Sequence, residues 1–127
     1  MKKDNKDCIF CKIAKKEVPT KIIYEDDWVM AFPDIHPLVP IHILIIPKKH
    51  IASANDLTED EKNEKIVGRM ILTAVKIAKK MKIAEDGYKM LIRTGKNGGQ
   101  EVPHIHLHLL GGGKMKENIG LINSKKN

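Results

Sequence analysis

Histidines alternate with apolar residues over 104–110, and this pattern limits the fold more than any other feature of the chain. Glycines lie just upstream of the stretch and directly after it. Alternation with a period of two is typical of a β-strand that has one buried face. We therefore predict a strand with three imidazoles on one face and Ile105, Leu107 and Leu109 packed into a core on the other.

The rest of the sequence predicts a single α+β domain. A long helix begins near Leu57, with a capping box formed by Thr58 and Glu61, and ends before Asp86. Alternating segments bounded by turn residues predict the strands 21–25, 28–32, 42–47, 88–93 and 104–110, and a short helix is predicted at 8–16. This order indicates an antiparallel sheet of about five strands. The domain spans 1–127, with peripheral tails at 1–7 and 114–127.

Composition excludes several classes of function. The net charge is +7, but the lysines are scattered, and no basic stripe is interleaved with aromatic residues. We therefore do not expect direct nucleic-acid binding. No apolar run approaches the ~20 residues that cross a bilayer, and no signal-peptide core follows the first residues. We expect a cytoplasmic protein without membrane association, in which Cys8 and Cys11 are thiols or metal ligands.

The Cys8-x-x-Cys11 pair has three interpretations: half of a zinc site, a redox dithiol, or coincidence. A redox dithiol is expected where a strand meets a helix in a thioredoxin-like fold, whereas this pair precedes every predicted strand. A structural zinc ion needs four ligands. No third cysteine exists, so histidines must supply the remainder, and the chain has six of them: His36, His42, His50, His104, His106 and His108.

The three alternating histidines also have more than one interpretation. They are metal ligands, buried imidazoles held by hydrogen bonds, or catalytic groups. A neutral imidazole is a good nucleophile near pH 7 and attacks phosphorus. The adjoining glycine loops suit that chemistry, because glycine lets backbone N–H groups turn inward and cradle a phosphate.

Residues 98–112, GGQEVPHIHLHLLGG, resemble the signature of the histidine triad family. Further similarity to this family occurs at CIFCKI (8–13), IIYEDD (22–27), AFPDI (31–35) and IPKKHI (46–51). The similarity covers roughly residues 8–113 in the expected order. The chain is most similar to the branch of histidine triad nucleotide-binding proteins that hydrolyses nucleoside phosphoramidates.

This resemblance implies a homodimer with one continuous sheet across both subunits and a purine nucleoside monophosphate as the recognised group. His106 matches the nucleophile that takes the nucleotidyl group. His108 matches the residue that contacts the phosphate, with His42 close by, and Asp34 matches the residue that holds the ribose hydroxyls. The apolar walls around the base match Ile9, Phe10, Ile13 and Phe32, for which core packing is the alternative.

The resemblance also implies a structural zinc ion. Relatives that carry the cysteine pair use it with two histidines, and the matching set here is Cys8, Cys11, His50 and His104. The first triad histidine would then hold metal and leave the other two for chemistry.

Two positions depart from the family pattern on the phosphate side of the site. Arg93 replaces the usual asparagine before the glycine loop, and Glu101 replaces a frequent serine or threonine. Both are expected to bind substrate, together with Gly99, Gln100 and Val102. Arg93 is a stronger charged donor to a phosphate. Glu101 repels a phosphate unless it is protonated or turned away, or it donates a proton to a leaving amine.

Three functions follow from this sequence. The first is hydrolysis of purine nucleoside phosphoramidates through a nucleotidyl-histidine at His106. The second is hydrolysis of dinucleoside polyphosphates, which another branch of the family performs; the cysteine pair and Gly111–Gly112 favour the first. The third is a zinc-stabilised nucleotide-binding module with little turnover, suggested by Arg93 and Glu101.

Overall fold

The computed structural model describes residues 6–122 and has an α+β architecture in this part of the chain, as predicted. Its helices are α1 (Ile9–Ala14) and α2 (Glu61–Lys80), with a 3-10 turn at Ala54–Asp56. The strands are β1 (Tyr24–Glu25), β2 (Val29–Pro33), β3 (Ile41–Pro47), β4 (Tyr88–Leu91) and β5 (Leu107–Gly111). They form one antiparallel sheet in the order β1-β2-β3-β5-β4. No helix within 6–122 is long and apolar enough to cross a membrane.

Successive residues of a strand point to opposite faces of the sheet, and both faces are covered by a helix. On one face, α2 packs over a core that includes Ala31, Ile45 and Leu109. On the other face, α1 packs through Phe10 and Ile13 against the alternate strand residues Met30, Phe32, Leu44 and Ile46. His108 of β5 pairs with Leu44 and therefore lies on the α1 face.

Strand β5 begins later than the sequence predicts. His104, Ile105 and His106 lie before it, and the Ile105 N–H donates to the Ile51 carbonyl oxygen at 2.7 Å instead of joining the ladder. The side chains still alternate: Ile105 enters the α2 core, whereas His104 and His106 contact Phe10 of α1. The prediction of the strand's start is wrong, but the prediction of its two faces is confirmed.

Helix α2 begins at Glu61 with Asp60 as its N-cap, so the predicted Thr58–Glu61 capping box is wrong. The Asp60 carboxylate accepts from the Asn63 N–H at 2.8 Å, and the Thr58 hydroxyl donates to the same carboxylate. Aspartate is as good an N-cap as threonine. Hydrogen bonds from Thr58 and Asn63 lower the pKa of Asp60 to about 2, which keeps the cap ionised.

Two predicted strands are shorter in the structure. Only Tyr24–Glu25 remains of 21–25. Strand β4 ends at Leu91, which pairs with His108 of β5. Residues 92–93 lie outside the hydrogen-bonded ladder between the two strands, and β5 itself begins at Leu107. Arg93 therefore leaves the sheet beside the histidines.

The predicted tails lie partly outside the described residues. Within 114–122 the chain forms no helix or strand. This segment contacts the sheet edge through Lys89 Nζ, which donates to the Lys116 carbonyl oxygen at 3.0 Å and pairs with Glu117 at 2.9 Å.

Candidate active site and candidate metal site

The first turn of α1 brings the two cysteines together. Cys8 is the N-cap, and its Sγ accepts from the Cys11 N–H at 3.3 Å. His50 follows β3 and His104 precedes β5, and because these strands are antiparallel neighbours, both histidines lie at the same end of the sheet, beside the thiols. Cys8 Sγ lies 3.3 Å from His104 Nδ1, and Cys11 Sγ lies 3.2 Å from His50 Nδ1. The four predicted metal ligands therefore meet in one cluster that could hold a metal ion.

The spacing of this cluster fits a tetrahedral ion. Cys11 Sγ to His104 Nδ1 is 3.5 Å, and the Nδ1 atoms of His50 and His104 are 3.3 Å apart. A zinc ion bound by sulfur and nitrogen sets ligand separations of about 3.3–3.8 Å. His104 Nε2 donates to the Pro47 carbonyl oxygen at 2.8 Å, which assigns the lone pair of the neutral ring to Nδ1, the atom inside the cluster.

Burial keeps His104 in the form that binds metal. The side chain is fully buried, and this desolvation lowers its pKa to about 4. A neutral imidazole and thiolates are the forms that coordinate a divalent cation. The donor set, its spacing and the neutral His104 ring all agree with a bound metal ion.

The backbone of His104 also fixes the next histidine. His106 Nδ1 donates to the His104 carbonyl oxygen at 2.8 Å, since a carbonyl can only accept. The Nε2 atom of the neutral His106 ring therefore carries the lone pair. Burial lowers the pKa of His106 and favours this neutral form, and Phe10 packs edge-on against the ring with centroids 5.0 Å apart. The arrangement leaves one nucleophilic nitrogen in a restrained ring.

A relay of contacts assigns the protons of His42 and His108. The Leu38 N–H donates to His42 Nδ1 at 3.1 Å, so the proton of the neutral His42 ring is on Nε2. His42 Nε2 lies 2.9 Å from His108 Nδ1 and donates to it, with Asp34 Oδ2 farther away at 3.4 Å. His108 Nδ1 is then an acceptor, and its Nε2–H is a donor on the cleft side of the ring.

Burial also keeps this pair neutral. Desolvation lowers the pKa of His42, and it lowers the pKa of His108 to about 4, with the neighbouring His106 and Arg93 adding to that effect. Asp34, His42 and His108 also lie close enough to be considered as metal ligands. Coordination through His42 Nε2 would need a proton on Nδ1, which accepts from Leu38, so hydrogen bonding fits this cluster better.

An apolar cleft of about 540 Å³ opens beside His106 and His108. Its walls include all four predicted apolar residues, Ile9, Phe10, Ile13 and Phe32, and three of them, Phe10, Ile13 and Phe32, also belong to the α1-side core. Asp34 lies at the same cleft, and its Oδ1 accepts from the His36 N–H at 2.8 Å. The two interpretations of the apolar residues, core packing and cleft wall, are therefore compatible for these three residues.

A second cleft of about 380 Å³ meets the first at the two histidines. Of these two clefts, Arg93 and Gly99 line the second and not the first, whereas Glu101 borders both. Arg93 Nη1 lies 3.3 Å from His108 Nε2. Of the two predicted glycine loops, only the first reaches these clefts; the glycines of 111–113 line neither of them.

Gln100 has its side chain turned into the protein. Its Nε2 donates to the carbonyl oxygens of Ala52 (2.7 Å) and Val102 (3.0 Å), and its Oε1 accepts from the Gly95 N–H. Gln100 therefore shapes the loop that carries Glu101 and Val102, and Val102 borders the apolar cleft.

Several cleft residues were missed by sequence reasoning: Pro19, Thr20, Lys21, Ile35, His36, Leu38 and Leu44. Leu44 had a usable signal, because strand alternation puts it on the face opposite Ile43 and Ile45, and it pairs with His108. The loop residues had none, since their position depends on how the chain folds back over the sheet.

Comparisons with known proteins agree with this geometry. A family model described as the HIT domain matches residues 15–115. The purine nucleoside phosphoramidase of Escherichia coli (strain K12) is 53% identical over 104 residues, which cover 82% of this chain and 86% of that protein.

Solved structures show the same fold. A histidine triad protein from Clostridium difficile has a TM-score of 0.86 and 42% identity, covering 91% of this chain and 99% of that one. A HIT family hydrolase from Legionella pneumophila Philadelphia 1 has a TM-score of 0.83 and 44% identity, covering 87% of this chain and 96% of that one. The chain belongs to the HIT family, as the resemblance of residues 98–112 and of the four earlier motifs implied.

Proposed function

We propose that this protein hydrolyses purine nucleoside phosphoramidates and releases a nucleoside monophosphate, with His106 as the nucleophile. The hydrogen bond from His106 Nδ1 to the His104 carbonyl oxygen carries this proposal, because it leaves the Nε2 lone pair of a neutral ring available at the cleft. The 53% identity to the Escherichia coli purine nucleoside phosphoramidase supports the substrate class.

The reaction runs in two displacements. His106 Nε2 attacks the α-phosphorus, the P–N bond breaks, and the amine leaves after taking up a proton from solvent. Water then attacks the phosphorus of the nucleotidyl-histidine and gives up a proton to solvent, the P–Nε2 bond breaks, and the neutral ring is restored. His108 donates its Nε2–H to a phosphoryl oxygen, and His42 keeps that proton in place through its 2.9 Å contact with His108 Nδ1.

The apolar cleft holds the nucleoside in this proposal. Phe10 and Phe32 meet edge-to-face, with ring centroids 5.7 Å apart, and form with Ile9 and Ile13 an apolar wall for a purine. The Asp34 carboxylate accepts from the ribose hydroxyls. The backbone around Gly99, Gln100 and Val102, with the Glu101 side chain, forms the phosphate side.

Zinc is the ion we propose for the Cys8, Cys11, His50 and His104 cluster. Two thiolates and two imidazoles in a closed tetrahedral set are typical of structural zinc. Its catalytic value is indirect: an ion on His104 Nδ1 would hold the His104 backbone, whose carbonyl oxygen orients His106.

A homodimer is the assembly we propose. Strand β4 lies at the end of the sheet order, so one of its edges has no strand partner within residues 6–122 and could pair with a second copy. Light scattering coupled to size-exclusion chromatography tests this assembly, and a monomeric mass at micromolar concentration contradicts it.

The direct test of the function is release of AMP from adenosine 5′-phosphoramidate by the wild type and by His106→Ala. We expect turnover by the wild type and none by the variant. Calorimetric binding of AMP to the variant is the control, since it reports an intact cleft. Unchanged turnover by His106→Ala would overturn the proposal, as would absence of turnover by the metal-loaded wild type.

A further inference from the structure

Among the residues that the structure describes, no carboxylate neutralises Arg93. No carboxylate of residues 6–122 lies within ion-pair distance of its guanidinium. The Arg93 side chain is half-buried and lies beside Gly99. A Cβ atom at position 99 would stand 3.4 Å from Arg93 Cδ. The positive charge therefore lies in the second cleft without a paired counter-charge from the described part of the chain.

The contact between Arg93 and His108 joins two donors. The relay from Leu38 through His42 puts the proton of His108 on Nε2, and Arg93 Nη1 lies 3.3 Å from that atom. A guanidinium has no acceptor. The two N–H groups cannot satisfy each other, so an oxyanion near both of them is the group that this corner of the cleft fits.

We propose that Arg93 makes this enzyme selective for substrates whose leaving group carries an oxyanion, a carboxylate or a phosphate. This inference rests on the proposed function. In-line displacement places the leaving group opposite His106 Nε2. If the nucleoside fills the apolar cleft, the leaving group lies in the second cleft. Arg93 lines that second cleft, and the apolar residues that form the wall of the first cleft do not. A single phosphoryl oxygen shared with His108 uses one of five guanidinium donors, so others are available for a second anion.

Glu101 is the opposing charge in the second cleft. Its side chain is exposed, and it forms no ion pair with Arg93. Solvent screens an exposed carboxylate more than a half-buried guanidinium. Removal of the Glu101 charge should therefore strengthen the selection for an anionic leaving group, whereas removal of the Arg93 charge should abolish it.

The test compares two substrates that differ by one charge: the phosphoramidate of AMP with alanine, which has a free carboxylate, and the same compound as its methyl ester. We expect the wild type to prefer the carboxylate by about tenfold or more in kcat/KM, as charged hydrogen bonds allow. Arg93→Gln should bring the ratio close to one, Arg93→Lys should retain part of it, and Glu101→Gln should raise it. Each ratio compares kcat/KM for the two substrates on the same protein, so a general loss of activity does not affect it.

A binding measurement keeps this inference separate from the proposed function. Calorimetry with AMP and ADP needs no turnover, and we expect ADP to bind the wild type more tightly, with that preference lost in Arg93→Gln. Absence of hydrolysis with the ADP preference present would overturn the hydrolase function and retain the anion site. A wild-type carboxylate-to-ester ratio near one, or a ratio that Arg93→Gln leaves unchanged, would overturn the role of Arg93.

Discussion

Removal of the metal should destabilise the fold and lower activity together. An ion that binds only the folded state, and whose free concentration is 100 times its Kd, stabilises that state by about 2.7 kcal/mol. Unfolding entropy near Tm is about 2.1 cal/mol/K per residue, or about 0.27 kcal/mol/K for 127 residues. The two quantities give an expected decrease in Tm of about 10 °C on chelation. Activity should fall as well, because the His104 carbonyl oxygen orients His106.

The assay is differential scanning calorimetry of metal-loaded and chelator-treated protein, with metal content measured by mass spectrometry on the same samples. The double variant Cys8→Ser, Cys11→Ser is the control, and its Tm should not respond to the chelator. Protein purified without chelator that contains no zinc would refute the assignment of the ion. Loss of zinc from the wild type with no change in Tm would refute the structural role.

Three further predictions concern the active-site face. The pKa of His108 is about 4 in the fold against an ordinary 6.5, so the unfolded state binds more protons between these values. The free energy of unfolding should therefore fall as pH decreases from 6.5 to 4, and urea denaturation should show a smaller fall in His108→Gln. Asp34→Asn should weaken binding of AMP by about tenfold, and a 2′,3′-dideoxy analogue should not distinguish the variant from the wild type. Phe10→Ala should lower the free energy of unfolding by about 3–5 kcal/mol and lower kcat, because Phe10 packs against His106; a change in stability alone would contradict its positioning role.

The period-two pattern at 104–110 was enough to predict which side chains face the α2 core and which face the site. It could not predict where the ladder begins, because the Ile105 N–H bonds to the carbonyl oxygen of Ile51, a partner distant in sequence. The same limit applies to α2: a capping box at Thr58 is a sound local pattern, but Asp60 competes for the same position and is fixed there by Thr58 itself.

Resemblance to the family grouped Cys8, Cys11, His50 and His104, and these four residues do meet in the structure. Neither spacing nor resemblance predicted the proton relay from Leu38 to His108, which depends on a backbone N–H in an irregular loop. The side-chain orientation of Gln100 was equally inaccessible, since its three partners are backbone groups and one of them, the Ala52 carbonyl oxygen, is 48 positions away in sequence.

The central claim is that His106 becomes covalently attached to the nucleotide. Mass spectrometry of protein mixed with adenosine 5′-phosphoramidate and quenched within one turnover tests it most directly. We predict a mass increase of one adenylyl group, located by peptide mapping on His106 and absent from His106→Ala. An adduct on His108 or His42, or steady-state AMP release with no adduct at any quench time, would contradict the account.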